Sequence, residues 1–248
     1  MKITLKNVKH VQQIISGILK VAPGCTFKIN TEGCEICSRS VDIRAKAFFQ
    51  TNTILSEGPI EFTFASLSKF TMALRALEDC GELENIELEC NGSTLTYKGK
   101  SKFRLILDDP LCIEIYTYNR SGTEHNDIFK FPITGLQIST IRKYTSLNIQ
   151  ESKAYFYVKD NIVYVDVDDK QKKKVSSVTL PITDKFKGKD NEPFCVNIND
   201  MTLYTCLNPD KITLSLLDNY LLRVESVLSN KELNLLSRMT LYCETLNG

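Results

Sequence analysis

The sequence predicts an α+β chain built as two tandem similar domains, each with two helices packed on antiparallel sheets. Three observations predict it. A pattern of one strand, one amphipathic helix and three strands recurs four times along 248 residues. The second pair of repeats follows the first by about 130 residues, near half the chain. A stretch of different composition, with Pro110 and then Asn119-Arg120-Ser121-Gly122, separates the halves at the midpoint.

The first repeat opens with a short strand at Ile3 to Leu5. Val8, Val11, Ile14, Ile15, Ile18 and Ala22 then recur at helical spacing, and Pro23-Gly24 stops the helix. Alternating runs at Cys25–Asn30, Cys34–Arg39 and 43–52 read as strands, the first two joined by a turn at Thr31-Glu32-Gly33. The second repeat starts with a strand at Ile60–Phe64. Ser66 is the expected N-cap of a helix carrying Leu67, Phe70, Leu74 and Leu77, with Gly81 as its stop. Asn91-Gly92 between alternating runs predicts a hairpin, and Lys102 to Leu107 a further strand.

The third repeat begins at Ile128–Phe131, and Pro132 is expected to open a helix with Leu136, Ile141 and Tyr144 facing the core. Ala154–Val158 and Ile162–Val167 flank a Lys159-Asp160-Asn161 turn, a lysine-rich loop follows, and Val175–Pro181 closes the repeat. The fourth runs from Pro193–Ile198 into a short helix with Met201, Tyr204 and Leu207, then a hairpin at Ile212–Leu217 and Leu221–Val227, then a strand near Met239–Leu246. Glu61-Phe62-Thr63-Phe64 before the second helix parallels Glu192-Pro193-Phe194-Cys195 before the fourth. The expected organisation is an N-terminal domain over residues 1–108, a crossover linker over 109–127 and a C-terminal domain over 128–248.

Composition narrows the function. The net charge is +1, which disfavours a wholly basic nucleic-acid binder unless charge is segregated by face. Nine cysteines, an odd count, with a strand-like start and no secretory h-region, point to reduced thiols in an intracellular compartment. No apolar run reaches the length of a membrane span. Cys34-Glu35-Ile36-Cys37 has no second pair to complete a zinc ribbon, and alternation points its two thiols to opposite faces of a strand. The two histidines, His10 and His125, stand outside any metal or catalytic pairing and read as surface residues. The adjacent acids Asp108-Asp109 and Asp168-Asp169 read as turn carboxylates, with a two-metal site as the alternative. No cofactor, metal or catalytic motif is expected, and the chain is read as a non-enzyme.

The order of elements resembles a DNA sliding clamp over essentially the whole chain, most closely the trimeric proliferating cell nuclear antigen and tailed-phage type. Local echoes are Val158-Lys159-Asp160-Asn161-Ile162-Val163-Tyr164-Val165, Phe131-Pro132, and Cys195-Val196-Asn197-Ile198-Asn199. The resemblance implies a ring, a homotrimer, that encircles duplex DNA without reading sequence and tethers DNA polymerase as a processivity factor. Basic residues spaced along helices attract the phosphate backbone diffusely and permit sliding. The implied DNA-facing residues are Lys9, Lys20, Lys69, Arg75, Arg142 and Lys143. The fourth helix has neither Lys nor Arg, and Lys6 and Lys172 to Lys174 read as solvated, with an approach to DNA as the alternative. The implied groove for partner peptides of polymerase and clamp loader takes Leu111, Ile113 and Ile115 from the crossover, Ile43 as floor, and Tyr220, Glu244 and Thr245 at its margin.

Other readings share parts of this pattern: a clamp-fold accessory subunit or viral transcription factor that is not a replication clamp, a monomeric processivity factor, or an enzyme built on the acidic pairs. Frequent Lys, Asn and Ile favour a phage or other virus, which places the protein in the host cytoplasm, or in the nucleus or a viral factory.

Overall fold

In a computed structural model, residues 1–39, 45–109, 125–146, 153–167, 178–184, 186–188, 193–201, 204, 209, 211–218, 221–232 and 234–245 are described. Four copies of the predicted module are visible among them. The first is β1 (Lys2–Asn7), α1 (Val8–Ile18), β2 (Cys25–Ile29), β3 (Cys34–Arg39) and β4 (Ala45–Thr51), followed by the short β5 (Ile54–Ser56). The second is β6 (Ile60–Phe64), α2 (Ser68–Asp79), β7 (Glu84–Asn91), β8 (Thr94–Lys98) and β9 (Lys102–Ile106). The third is β10 (Asp127–Ile133), α3 (Gly135–Ser146), β11 (Lys153–Lys159), β12 (Ile162–Val167) and β13 (Val178–Thr183), followed by the short β14 (Lys187–Gly188). The fourth is β15 (Phe194–Asn197), a 3-10 turn at Ile198–Met201, β16 (Lys211–Leu217), β17 (Leu221–Asn230) and β18 (Leu235–Glu244).

The chain divides into two compact units, one of Met1–Tyr118 with Leu228–Met239, the other of Asn119–Val227 with Thr240–Gly248. In each unit the modules exchange their first strands. β1 pairs with β7 of the second module, and β6 pairs with β2 of the first. Likewise β10 pairs with β16, and β15 with β11. The first unit therefore holds one sheet in the order β5-β1-β7-β8-β9 and another that runs β4-β3-β2-β6, with β18 beside β4. The second unit holds β14-β10-β16-β17 and β13-β12-β11-β15.

Alternation along these strands builds the cores. β4 reads buried and half-buried in strict turn, as do β11 and β12. On α1, Val8, Val11, Ile14, Ile15 and Ile18 form the inward stripe, each burial contributing about 1.5–3 kcal/mol. α2 buries Leu67, Phe70, Leu74 and Leu77 as expected, and packs on α1. One aromatic contact repeats in both units. Phe27 on β2 faces Phe62 on β6, stacked at 5.0 Å, and Phe156 on β11 faces Phe194 on β15, stacked at 5.6 Å. Phe62 therefore corresponds to Phe194, one residue away from the alignment read in the sequence.

The turns follow local chemistry. Asp160 and Asn161 sit at φ of 52° and 61°, the left-handed pair that a two-residue hairpin between twisted strands requires. Gly81 at φ 72° ends α2, with the Glu82 N–H reaching the Leu77 carbonyl and the Gly81 N–H the Glu78 carbonyl.

Several expectations need correction. Pro132 lies within β10, opposite Thr213, and does not open a helix. β14 flanks β10 only at Phe129 and Lys130, so no described strand lies on that flank at Pro132. α3 starts instead after Thr134, where a reciprocal cap forms: Thr134 Oγ1 accepts from the Gln137 N–H, and Gln137 Oε1 accepts from the Thr134 N–H. That start turns Leu136 outward, 77% exposed, and leaves Tyr144 36% exposed, while Ile138, Ile141 and Thr145 fill the core. Ser66 does not cap α2. Its hydroxyl bonds Ser68 Oγ, and the cap position is Leu67. The lysine-rich loop, Leu207 and Asp168-Asp169 lie outside the described residues.

Candidate nucleic-acid interface

The predicted DNA-facing residues fall on helix surfaces turned away from the cores. In the first unit, Lys9, Gln13, Ser16 and Lys20 are all exposed and follow one another at intervals of three or four along α1 and its C-terminal turn. Lys69 and Arg75 are exposed on α2. In the second unit, Arg142 and Lys143 are exposed on α3. The structure thus brings Lys9, Lys20, Lys69 and Arg75 onto one helix pair and Arg142 and Lys143 onto another helix.

Neither α1 nor α3 contains an Asp or Glu. On α2 the acids Glu78 and Asp79 stand at the C-terminal end, and Glu78 lies 3.8 Å from Lys9. Both partners of that pair are largely solvated, so it contributes little to stability. Two further acids of the first unit lie on β7. Ile86, Leu88 and Cys90 of β7 point into the core, so Glu87 and Glu89 point out, paired with Lys2 at 3.0 Å and Lys98 at 3.1 Å. The helix faces are thus basic, while the outward face of the β1-β7-β8-β9 sheet is mixed, with Glu87 and Glu89 among Lys2, Lys98, Lys102 and Arg104.

Two apolar side chains share the basic helix faces: Met72 on α2 is 68% exposed, and Leu136 on α3, seven residues before Lys143, is 77% exposed. The sequence reading missed both. The T-x-x-Q capping signature at Thr134 to Gln137 would have set the frame that exposes Leu136.

Of the predicted peptide groove, Ile43, Leu111, Ile113, Ile115 and Tyr220 lie outside the described residues. Glu244 ends β18, and Thr245 follows it, half-buried. The first unit also holds a groove of about 700 Å³ lined by Lys28, Glu35, Gln50, Ile60, Leu236 and Arg238 among others, none of them a predicted site residue.

The titratable groups singled out by sequence have ordinary structural settings. Burial pushes the Cys34 thiol far up, and burial together with Glu35 raises Cys37 to about 11. Cys34 is buried and Cys37 half-buried on the opposite side of β3, and neither is bonded to another cysteine. Asp108 accepts the Ala65 N–H at 2.8 Å. Among the described residues, no three His, Cys, Asp or Glu side chains group as metal ligands, and no helix is long and apolar enough to cross a membrane. His125 is held by Asp218 at 2.8 Å, and His10 is buried, contrary to its reading as a surface residue.

A scan against protein-family models and a search of curated proteins return no match. Solved structures do match. The chain is similar to proliferating cellular nuclear antigen from Entamoeba histolytica, with a TM-score of 0.73 at 14% identity over 99% of this chain and 98% of that one. It is similar to a chain of the PCNA2-PCNA3 complex from Sulfolobus tokodaii, with a TM-score of 0.70 at 13% identity over 99% of both. It is also similar to A. fulgidus PCNA in a complex with the C-terminal region of FEN-1, with a TM-score of 0.72 at 11% identity over 100% of this chain and 99% of that one. The chain has the α+β fold of the DNA sliding clamps.

Proposed function

We propose that the chain is the subunit of a non-catalytic sliding clamp, a homotrimeric ring that encircles duplex DNA and tethers DNA polymerase. The observation that carries this reading is the placement of exposed lysines and arginines on the helices of a clamp fold, with α1 and α3 free of acids. Exposed lysines and arginines on regular helices attract phosphates without addressing base edges, as sliding requires.

Internal duplication supports ring closure. β9 and β18 close their modules in equivalent positions, and so do β4 and β13. β18 lies beside β4, with the Leu236 N–H reaching Asn52 Oδ1 at 2.9 Å. β9 and β13 each end a sheet. In this reading β9 of one copy pairs with β13 of the next, a head-to-tail contact that generates a closed ring when the rotation closes. The peptide groove is proposed at Leu111, Ile113, Ile115, Ile43, Tyr220, Glu244 and Thr245, with short peptides of polymerase and clamp loader as its ligands.

The test is topological. Protein assembled on nicked circular duplex should survive a high-salt wash and be released when the circle is cut. Loss from the intact circle at the same salt would contradict encirclement.

A further inference from the structure

We infer that Pro181, on the open edge of β13, dictates how β9 of a second copy docks there, and that the docked register sets a cation of β9 beside Asp166. Such docking presupposes the ring proposed above. β9 and β13 each end a sheet. Proline has no N–H, so Tyr164 and Pro181, which lie opposite each other, cannot exchange both backbone bonds. Alternation then makes Val165 and Leu180 a bonded pair, and Asp166 and Thr179 a close, non-bonded one. The 2.6 Å bond from the Thr179 hydroxyl to Asp166 Oδ1 agrees, because side chains approach more closely in pairs of that kind. Thr179 and Pro181 therefore turn their backbone groups to the open edge, and at Pro181 the donor is missing.

At the end of β9 the Leu107 N–H donates to the Ser93 carbonyl at 2.9 Å. Alternation through the β8–β9 register gives the backbone groups of Leu105 and Phe103 to β8, and turns those of Lys102, Arg104 and Ile106 to the open edge. An antiparallel partner, the arrangement of β9 with β8 and of β13 with β12, matches these three residues against Thr179 and Pro181. Pro181 opposite Arg104 would leave the Arg104 carbonyl without a donor in the middle of the new ladder, and would set Ile106, 67% exposed, in the row of Asp166. Pro181 opposite Ile106 would bring Thr179 to Asp108, whose N–H is already held by the Thr63 carbonyl at 2.9 Å. Pro181 opposite Lys102, or beyond the start of β9, confines the missing donor to the strand end, where water reaches the carbonyl. Those two registers place Arg104 or Lys102 opposite Thr179.

The charges fit these registers. Lys102 and Arg104 are exposed and have no acidic partner among the described residues, while Lys2 and Lys98 on the same sheet face pair with Glu87 and Glu89 at 3.0 and 3.1 Å. Asp166 Oδ1 accepts from the Thr179 hydroxyl and, at 3.3 Å, from the Tyr157 hydroxyl, and Oδ2 accepts no hydrogen bond from the described residues. Directly opposed residues share a face, so a side chain opposite Thr179 lies two strand spacings from Asp166, about 10 Å, within reach of an extended arginine or lysine. β13 itself carries no cation. Two copies of β9 paired with each other would instead gather the Lys102 and Arg104 charges of both. Opposite charges on facing edges therefore select the head-to-tail contact over a two-fold one.

Thiol cross-linking of the full-length protein tests the register. A short bismethanethiosulfonate, with each single cysteine variant as control, should join copies through Thr179→Cys/Arg104→Cys or Thr179→Cys/Lys102→Cys, and not through Thr179→Cys/Ile106→Cys. Pro181→Val restores the donor, and in that background the Ile106 pair should cross-link as well. Sedimentation equilibrium tests the charges. Lys102→Glu/Arg104→Glu should weaken association about tenfold or more, and adding Asp166→Lys should recover it in part. Cross-linking through Ile106 with Pro181 in place, a pattern unaltered by Pro181→Val, undiminished association of the Glu variant, or no recovery would overturn the docking while leaving the trimer. A mass of 28.2 kDa at every concentration, with no pair cross-linked, would remove the ring and this docking together. If the Glu variant does not fold, the cross-linking series decides the matter without it.

Discussion

His10 Nε2 lies 2.7 Å from Ser237 Oγ, joining α1 to β18 inside the first unit. Ser237 Oγ donates in turn to Thr51 Oγ1 at 2.8 Å, and Thr51 Oγ1 to Thr53 Oγ1 at 2.8 Å. Because each hydroxyl passes its proton onward, His10 Nε2 must be the donor that starts the chain. Buried polar chains of this kind stabilise only when every member is satisfied. The equivalent residue of the second unit is Gln137, three residues after its helix cap as His10 is after Asn7. Its Nε2 donates to the Ile182 carbonyl of β13 at 2.7 Å.

His10→Ala removes the donor and leaves a cavity, and is expected to cost about 1–3 kcal/mol in chemical denaturation. His10→Gln, which restores a donor of the kind used in the second unit, should lose less. Equal losses for both substitutions would show that the hydrogen bond is not what matters at this position.

His10 also predicts a pH dependence. Burial holds its imidazole below the ordinary 6.5. As pH falls through about 6.5 the unfolded chain takes up a proton before the folded chain does, so stability is full above that value and declines below it. The decline should stop once the lower, folded value is passed. Unfolding midpoints followed from pH 7.5 to 5 should show this slope in the natural protein and lack it in His10→Gln.

The β8–β9 turn is organised by one carboxylate. Partial desolvation raises Glu82, but hydrogen bonds from the Tyr97 hydroxyl, the Ser101 N–H and hydroxyl, and the Lys100 N–H outweigh it and bring it down to about 2. Its contribution is present above the ordinary 4.5 and is lost as pH falls toward 2. Glu82→Gln should speed amide exchange at Lys100 and Ser101 while leaving α2 protected. Carboxyl NMR placing the Glu82 titration at or above 4.5 would refute the assignment.

Much of this architecture was legible in the sequence because burial imposes a period. α1 could be read from Val8, Val11, Ile14, Ile15 and Ile18, and the β11–β12 hairpin from its Asp-Asn turn, because each signal is local. Pro132 misled because proline is tolerated both at a helix start and in a strand with an open flank, and only the β10 pairing decides between them. His10 misled because its partner is 227 residues away. The six basic candidates were legible as exposed helix positions. The strand exchange between modules was not, because pairing partners lie far apart in the chain. With identities of 11–14% to the matched clamps, the order of elements carried the resemblance.

Arg142→Glu/Lys143→Glu reverses two exposed charges on α3 and should leave thermal unfolding nearly unchanged. Polymerase assays on a long primed template should show shorter products, and the salt slope of duplex binding should fall by about 2. Full-length products at an unchanged salt slope would remove α3 from the DNA face.

Ile113→Ser should weaken binding of a polymerase-derived peptide by about tenfold or more without altering assembly, because an apolar anchor is replaced by a hydroxyl. A titration in which both proteins bind the peptide equally would place the groove elsewhere.

Ring closure is tested most directly by mass in solution. Sedimentation equilibrium over a concentration series through the micromolar range should converge on a single species at three times 28.2 kDa, dissociating only on dilution. Convergence on 28.2 kDa, or on twice that value, at the highest concentrations would contradict the homotrimeric clamp.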